Sequence, residues 1–473
     1  MLATVPAFAG TATEAESRHI EAALQTYLGK APGTVSVTPD GDSYHLHLDL
    51  SRALATLPEP VSVTIAPIDV ELADQGNGLW GVDMPAQPID IKLSLKGRLA
   101  QEMHIASATQ TGVFDANLMA MTHAVADMKK LSGVQRTFLD GKESTKTAHQ
   151  VAELHAETVV TQGASGLDIR FTETGHDFRE QVASGPATGP DAASGQGAEP
   201  LDITADRFSE TVVGTGMRQA EISALVRWLV AHPSKAEIKA GRAELLTKVS
   251  ALLPVFDHLQ LSVGLDDFTT KTPQGPVSLD KVGVKVGMNG IVPDGRLSAA
   301  VTAEGLHPPE GLLPDWASSL LPKTLRVDAT VTGYNLEKLA KLAIDAAKAD
   351  AKDPGDAAFT KAIFPSGTLT LSTKSSGVTG AGYSLAMAGD MQVGLANAAP
   401  TITGLINATG YANVLDKLNA APDAVKRQIV PAMMMARGLA RPDADGGLEW
   451  KLETSSAGHL LINGQDMGAL NAK

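Results

Sequence analysis

The chain has 473 residues, 43% hydrophobic and 19% charged, enough to bury sizeable cores in more than one domain. Its net charge of −14 repels phosphate backbones, so nucleic acid is excluded as a general partner, and the acidic surface as a whole is unsuited to anionic headgroups. The absence of cysteine excludes disulfides, thiolate metal sites and cysteine nucleophiles.

Aromatic residues are only 4% of the chain, so any core must be aliphatic. Residues 1–9 read as the remnant of a secretory signal peptide. Ala7-Phe8-Ala9 has the small-x-small form of a cleavage site. The basic region and most of the apolar region that precede such a site are missing. Either the gene starts upstream or the stretch is an apolar tail. No run of about 18 apolar residues predicts a membrane-spanning helix.

From Glu14 to Leu28 the spacing of Ile20, Ala23, Leu24 and Leu28 predicts a helix. The period then changes to two. Tyr44, Leu46, Leu48 and Leu50 alternate with polar residues, as do Val61 to Ile65, Ile68 to Leu72 and Ile89 to Leu95. Such alternation predicts half-buried antiparallel strands. Asp40-Gly41-Asp42 and Gln75-Gly76-Asn77-Gly78 fit hairpin turns. A strand over Met103 to Thr109 leads to Thr111-Gly112. Leu118, Met121, Val125 and Met128 then predict a helix over Asp115 to Leu131.

Strand patterns resume at Leu154 to Val160 and Leu167 to Phe171. The Gly-, Pro-, Ser- and Ala-rich stretch 183–200 reads as a flexible loop or linker. A strand ending near Val213 reaches Thr215-Gly216, and helices are expected over 219–232, with Trp228 and Leu229 as anchors, and over 236–253. Further alternation covers 259–265, 282–288, 297–303 and 325–331, where Thr332-Gly333-Tyr334 opens a helix to about Ala349. Strands at 369–371, 383–387, 391–395 and 402–408 lead to Thr409-Gly410-Tyr411. A helix broken at Pro422 follows, and strands at 448–452 and 459–462 close the pattern. The recurring Thr-Gly corner suggests related modules, each closed by a helix. Glycine at a sharp turn explains the same recurrence.

The best metal-like constellation is His45-x-His47-x-Asp49, since residues two apart on a strand share a face. Tyr44, Leu46, Leu48 and Leu50 occupy the other face, which makes the histidine face the solvent face. Asp443-x-Asp445-Gly446-Gly447 lacks the ligand positions of a calcium loop and reads as a polar turn. Gly141-Lys142-Glu143-Ser144 is not a phosphate-binding loop. No nucleophile elbow and no His-Glu-x-x-His occurs, so no catalytic residue and no cofactor is assigned. Met433-Met434-Met435 is expected to pack into a core.

Gly78-Leu79-Trp80, the strands around it, and the ending Gly458-His459-Leu460-Leu461-Ile462-Asn463-Gly464-Gln465-Asp466-Met467-Gly468 resemble an alphaproteobacterial family of envelope proteins. It is known only as the domain of unknown function 2125 family. The resemblance implies export to the periplasm or the outer face of the inner membrane, with peripheral membrane association, and supplies no catalytic residue.

The expected fold is β-rich α+β: long, mostly antiparallel sheets with amphipathic helices packed on one face, in two related modules at 10–182 and 201–473. Two functions compete. One is a non-enzymatic exported envelope protein, a scaffold or a binder of lipid-like ligands. The other is a periplasmic hydrolase or metal-dependent enzyme with a site assembled from distant residues, supported only by His45, His47 and Asp49.

Overall fold

Asn77 and Gly78 bend the chain back at positive φ, 56° and 79°, and this tight turn joins the strand Ile68–Gly76 to Leu79–Leu95, which at 17 residues runs far beyond ordinary length. The computed structural model describes residues 11–55, 60–184, 200–349, 355–395, 399–443 and 446–469. The signal-peptide reading at 1–9 and most of the linker reading at 183–200 lie outside the described residues. Contacts divide the chain into two compact units, 1–257 and 258–473.

Unit 1 begins with α1 (Glu14–Leu28), β1 (Val35–Asp40), β2 (Ser43–Leu48) and α2 (Leu50–Leu54). It continues with β3 (Val61–Ile65), β4 (Ile68–Gly76), β5 (Leu79–Leu95), β6 (Leu99–Asp115), β7 (Ala120–Leu139) and β8 (Lys142–Gln162). Then come β9 (Leu167–Ser184), β10 (Leu201–Met217), α3 (Gln219–Ala231), α4 (Lys235–Ala240) and α5 (Arg242–Leu252). The strands pair antiparallel in the order β1, β2, β4, β5, β6, β7, β8, β9, β10, and β3 shares an edge of β5 with β4.

Unit 2 holds β11 (His258–Thr272), β12 (Gly275–Asn289), β13 (Gly295–His307), α6 (Asp315–Ser318), β14 (Pro322–Tyr334), α7 (Leu336–Lys348) and α8 (Asp356–Ile363). It continues with β15 (Thr368–Gly380), β16 (Tyr383–Gly394), β17 (Thr401–Thr409), α9 (Tyr411–Leu418) and α10 (Asp423–Leu439). The last strands are β18 (Arg441–Pro442), β19 (Leu448–Thr454), β20 (His459–Ile462) and β21 (Gln465–Ala469). From β11 to β17 each strand pairs with the next, and β17 then pairs with β19.

The β-rich, antiparallel character matches the sequence reading, and α1 has the expected bounds. Thr13 caps it by accepting a hydrogen bond from the Glu16 amide at 3.2 Å. Three expectations are corrected. The helix over Asp115 to Leu131 is instead a hairpin: Met119 takes φ 51° and β7 starts at Ala120. Its apolar residues satisfy helical spacing, yet Ala124, Ala126 and Met128 alternate inward on a strand. Thr111-Gly112 therefore lies inside β6, where a Cβ would meet the His123 carbonyl oxygen. Second, residues 201–217 form β10, hydrogen-bonded to β9, so a module boundary at 201 would cut a continuous ladder. Third, 383–395 supplies one strand, β16, rather than two.

The long strands also read as short ones because alternation slips within them. Lys130, Asp177 and Asp267 sit inside β7, β9 and β11 at φ near 50°. Each breaks the period of two without ending the strand.

Unit 1 folds its apolar residues onto a shared core. Val35, Val37, Tyr44, Leu46, Met84 and Ile105 are buried, with Ile20, Leu24 and Leu28 of α1 packed against them. Trp80 meets Tyr44 edge-on at 6.1 Å. Val151, Leu154 and Ala156 of β8 extend the burial, beside Phe171 and Phe178, and Phe178 stacks on Phe208 at 5.9 Å. Of the two expected anchors of α3, Trp228 is buried and Leu229 is exposed.

The Thr-Gly corners of unit 2 are where the sequence places them. Gly333 (φ 95°) precedes α7, and Gly410 (φ 65°) opens α9. Only glycine is comfortable there. Tyr334 lays its ring over Gly295, where any Cβ would strike it. Tyr411 stands 6.3 Å from Trp450, and its hydroxyl donates to the Met433 carbonyl oxygen.

Candidate functional site

Alternation in unit 2 sorts side chains into two faces. Register aligns Leu265, Val282, Ala303, Leu325, Val378, Leu385, Ala408 and Leu448 in one row across eight strands. A parallel row runs Val263, Val284, Val301, Val327. Another runs Leu259, Met288, Leu297, Val331, Leu371, Met391, Ile402. No residue of these rows is charged. The opposite face carries residues such as Ser262, Lys285, Arg326 and Asp328.

An uncharged sheet face belongs in a core, yet much of this one is open. Val327 is 52% exposed and Val301 45% exposed, and Leu297, Leu325, Leu371 and Met387 are also exposed. Continuous apolar exposure on this scale is unusual on a protein surface. A hollow of about 330 Å³ lies on this face, bounded by Val327, Leu371, Met387, Met391, Ile402 and Leu452.

A bulge shapes its floor. Residues 373–376 of β15 slip out of register opposite Asp328, whose carboxylate accepts from the Lys374 amide at 2.9 Å and the Ser375 amide at 2.8 Å. Burial opposes ionisation of Asp328, but these amide bonds, with those from the Ser375 and Ser376 hydroxyls, outweigh it and hold its pKa below the usual carboxylate value. Asp328 is thus occupied in fixing the bulge.

Unit 1 places a different hollow on its polar face, about 640 Å³, bounded by Thr109, Asp127, Lys129, Glu153, His155 and His176 among others. His155 and Asp127 are register partners, with Nδ1 2.8 Å from the carboxylate. Both signs of charge and high exposure suit this face to hydration rather than to a dry reaction centre. On the inward face of β9 and β10, Glu173 and Glu210 are directly paired in register. Burial, reinforced by the charge of Glu210, raises the pKa of Glu173 to about 7.

The expected metal ligands are only partly brought together. His45 and His47 share the outer face of β2, while Tyr44 and Leu46 point inward and are buried. β4 sets carboxylates opposite them. His45 Nδ1 lies 2.9 Å from Glu71, and His47 Nδ1 lies 2.8 Å from Asp69. Asp49 has left the strand: it precedes α2 and accepts from Arg52 Nε at 2.7 Å. Among the described residues, no three His, Asp or Glu side chains are arranged to hold a metal ion. The hydrogen bond to Glu71 raises the pKa of His45, burial opposes this, and the charges of Glu71 and Asp69 add to it. Similar cross-strand pairs, His104 with Asp90 among them, make this a recurrent surface device.

Asp443 accepts from the Gly447 amide at 2.6 Å, as a polar turn would. Gly141 turns β7 into β8 at φ 75°. Met434 and Met435 are exposed, which corrects their expected core role: they lie on the outer side of α10, and only Met433 faces inward.

No family model, no curated protein and no solved structure matches this chain. Among the described residues, no helix is long and apolar enough to cross a membrane.

Proposed function

We propose that this chain is a non-enzymatic binder of apolar, lipid-like molecules, exported to the cell envelope, and that unit 2 holds the ligand. The observation that supports this reading is the uncharged, exposed sheet face running through Val284, Val301, Val327 and Leu371. The three exposed rows named above contain no Tyr, Trp or Arg, the residues on which protein partners usually anchor, and Trp450, in register with Ile406 on the same face, is buried. Aliphatic walls without polar anchors suit a flexible hydrocarbon chain. Covering about 200 Å² of such surface is worth roughly 5 kcal/mol before the losses of association.

The same proposal places the chain with the envelope family that it resembles, and treats the two units as related modules with helices on one face of each sheet. Lipids co-purifying from the native envelope, analysed by mass spectrometry, test the binding reading. Acyl-chain amphiphiles are expected in stoichiometric amount, and Val327→Asp with Leu371→Asp should remove them. Ligand-free native protein, or equal loading of the variant, would sink the reading.

A further inference from the structure

Helix α10 departs from the rest of the chain in charge. Against a net charge of −14, residues 423–441 carry Lys426, Arg427, Arg437 and Arg441 and one carboxylate, Asp423. Lys426 holds Asp423 at 3.0 Å. Arg427 and Arg437 are exposed.

The outer side of this helix is also apolar. Met434 is 53% exposed and Met435 64% exposed, with Ile429 exposed on the flank. Arg427 lies seven residues before Met434, and so on the same stripe. The inner side, Val430, Met433, Ala436 and Leu439, is half-buried. Two hydrogen bonds fix the helix to its unit. Tyr411 donates to the Met433 carbonyl oxygen, and Trp450 Nε1 donates to that of Ala436 at 2.7 Å. The outward methionines are therefore presented on a rigid support.

We infer that α10 is a docking surface for an anionic lipid bilayer. Met434 and Met435 enter the acyl boundary, and Arg427 and Arg437 meet the lipid phosphates. Unbranched thioether side chains adapt to a fluid surface. Cations flanking exposed apolar residues give an interfacial helix both of its sources of affinity. An acidic bilayer is also the partner that the net negative charge elsewhere would repel, which limits contact to this patch. Trp450 stands in register with Ile406, in the uncharged face of unit 2, so α10 sits at one margin of the proposed ligand surface.

Co-sedimentation of the full chain with vesicles tests this. Vesicles containing about a third phosphatidylglycerol should bind it at low salt, pure phosphatidylcholine vesicles should bind it weakly, and salt should release it. Arg427→Glu with Arg437→Glu should weaken binding about tenfold. Met434→Ser with Met435→Ser should weaken it as well, with unchanged thermal midpoints because these side chains point outward. Failure of the wild type to bind phosphatidylglycerol vesicles would overturn the inference, whether or not an acidic protein binds instead. So would binding that ignores the methionine pair, which would be ionic adhesion without insertion. Val327→Asp should leave vesicle binding intact, so loss of the ligand reading and loss of this one give different results.

Discussion

The two units are built from the same kind of sheet and differ in what happens to its apolar face. In unit 1 that face is covered: Ile105 is 4% exposed and Leu154 6% exposed, beneath neighbouring strands, α1 and stacked phenylalanines. In unit 2, residues of the same chemistry stand open, Val327 at 52%. Alternation creates an apolar face but does not dictate its cover. The cover in unit 1 comes from bulky residues, Tyr44, Trp80, Phe178 and Phe208, and from a helix packed on β1. The exposed rows of unit 2 have small and medium aliphatic side chains that close nothing over themselves.

The sharpest way to break this comparison is to shorten one leucine in each unit. Leu154→Ala should cost about 3 kcal/mol, because a buried side chain leaves a cavity. Leu371→Ala should cost less than about 1 kcal/mol, since much of its surface already meets water. Urea unfolding of both variants checks this, and equal losses would mean that both faces are covered in solution.

A smaller effect concerns the corners. Gly410→Val should cost about 2 kcal/mol, because it combines a positive φ with a Cβ directed at the Gly382 carbonyl oxygen. Gly112→Ala in unit 1 meets crowding alone, with no positive φ, and should cost less. Thermal midpoints of the two variants rank them, and the reverse order would show that backbone conformation is not what selects Gly410.

The smallest effect sharpens the contrast electrostatically. Glu173 is ionisable within the covered face of unit 1, and its folded pKa, about 7, lies above its ordinary value of 4.5. In acid it is protonated in both states and costs nothing. Stability should then fall as pH rises from 4.5 towards 7 and level off above. Glu173→Gln should remove that decline, raising stability at pH 8 by about 1 kcal/mol after allowance for solvent screening and changing little at pH 4. A variant with the same pH profile as the wild type would place Glu173 in water.

Local chemistry was legible wherever it acts over a few residues. Thr13 and the stripe of α1, the alternation of β2, and the Gly333 and Gly410 corners follow from side-chain spacing and from glycine's freedom at positive φ. The pairing of His45 with Glu71 was not legible, because the partner strand lies 26 residues away and no local rule fixes register at that distance. Nor was the replacement of an expected helix by β7, since Leu118, Met121, Val125 and Met128 have helical spacing, and only the ladder with β6 and β8 selects the inward alternation of Ala124, Ala126 and Met128 instead. The sequence by itself determined that there would be antiparallel strands with an apolar side, because alternation is a property of neighbours in the chain. Only the tertiary structure decided that one apolar face is buried and the other open, because cover is supplied by residues distant in sequence and its strength depends on how they pack.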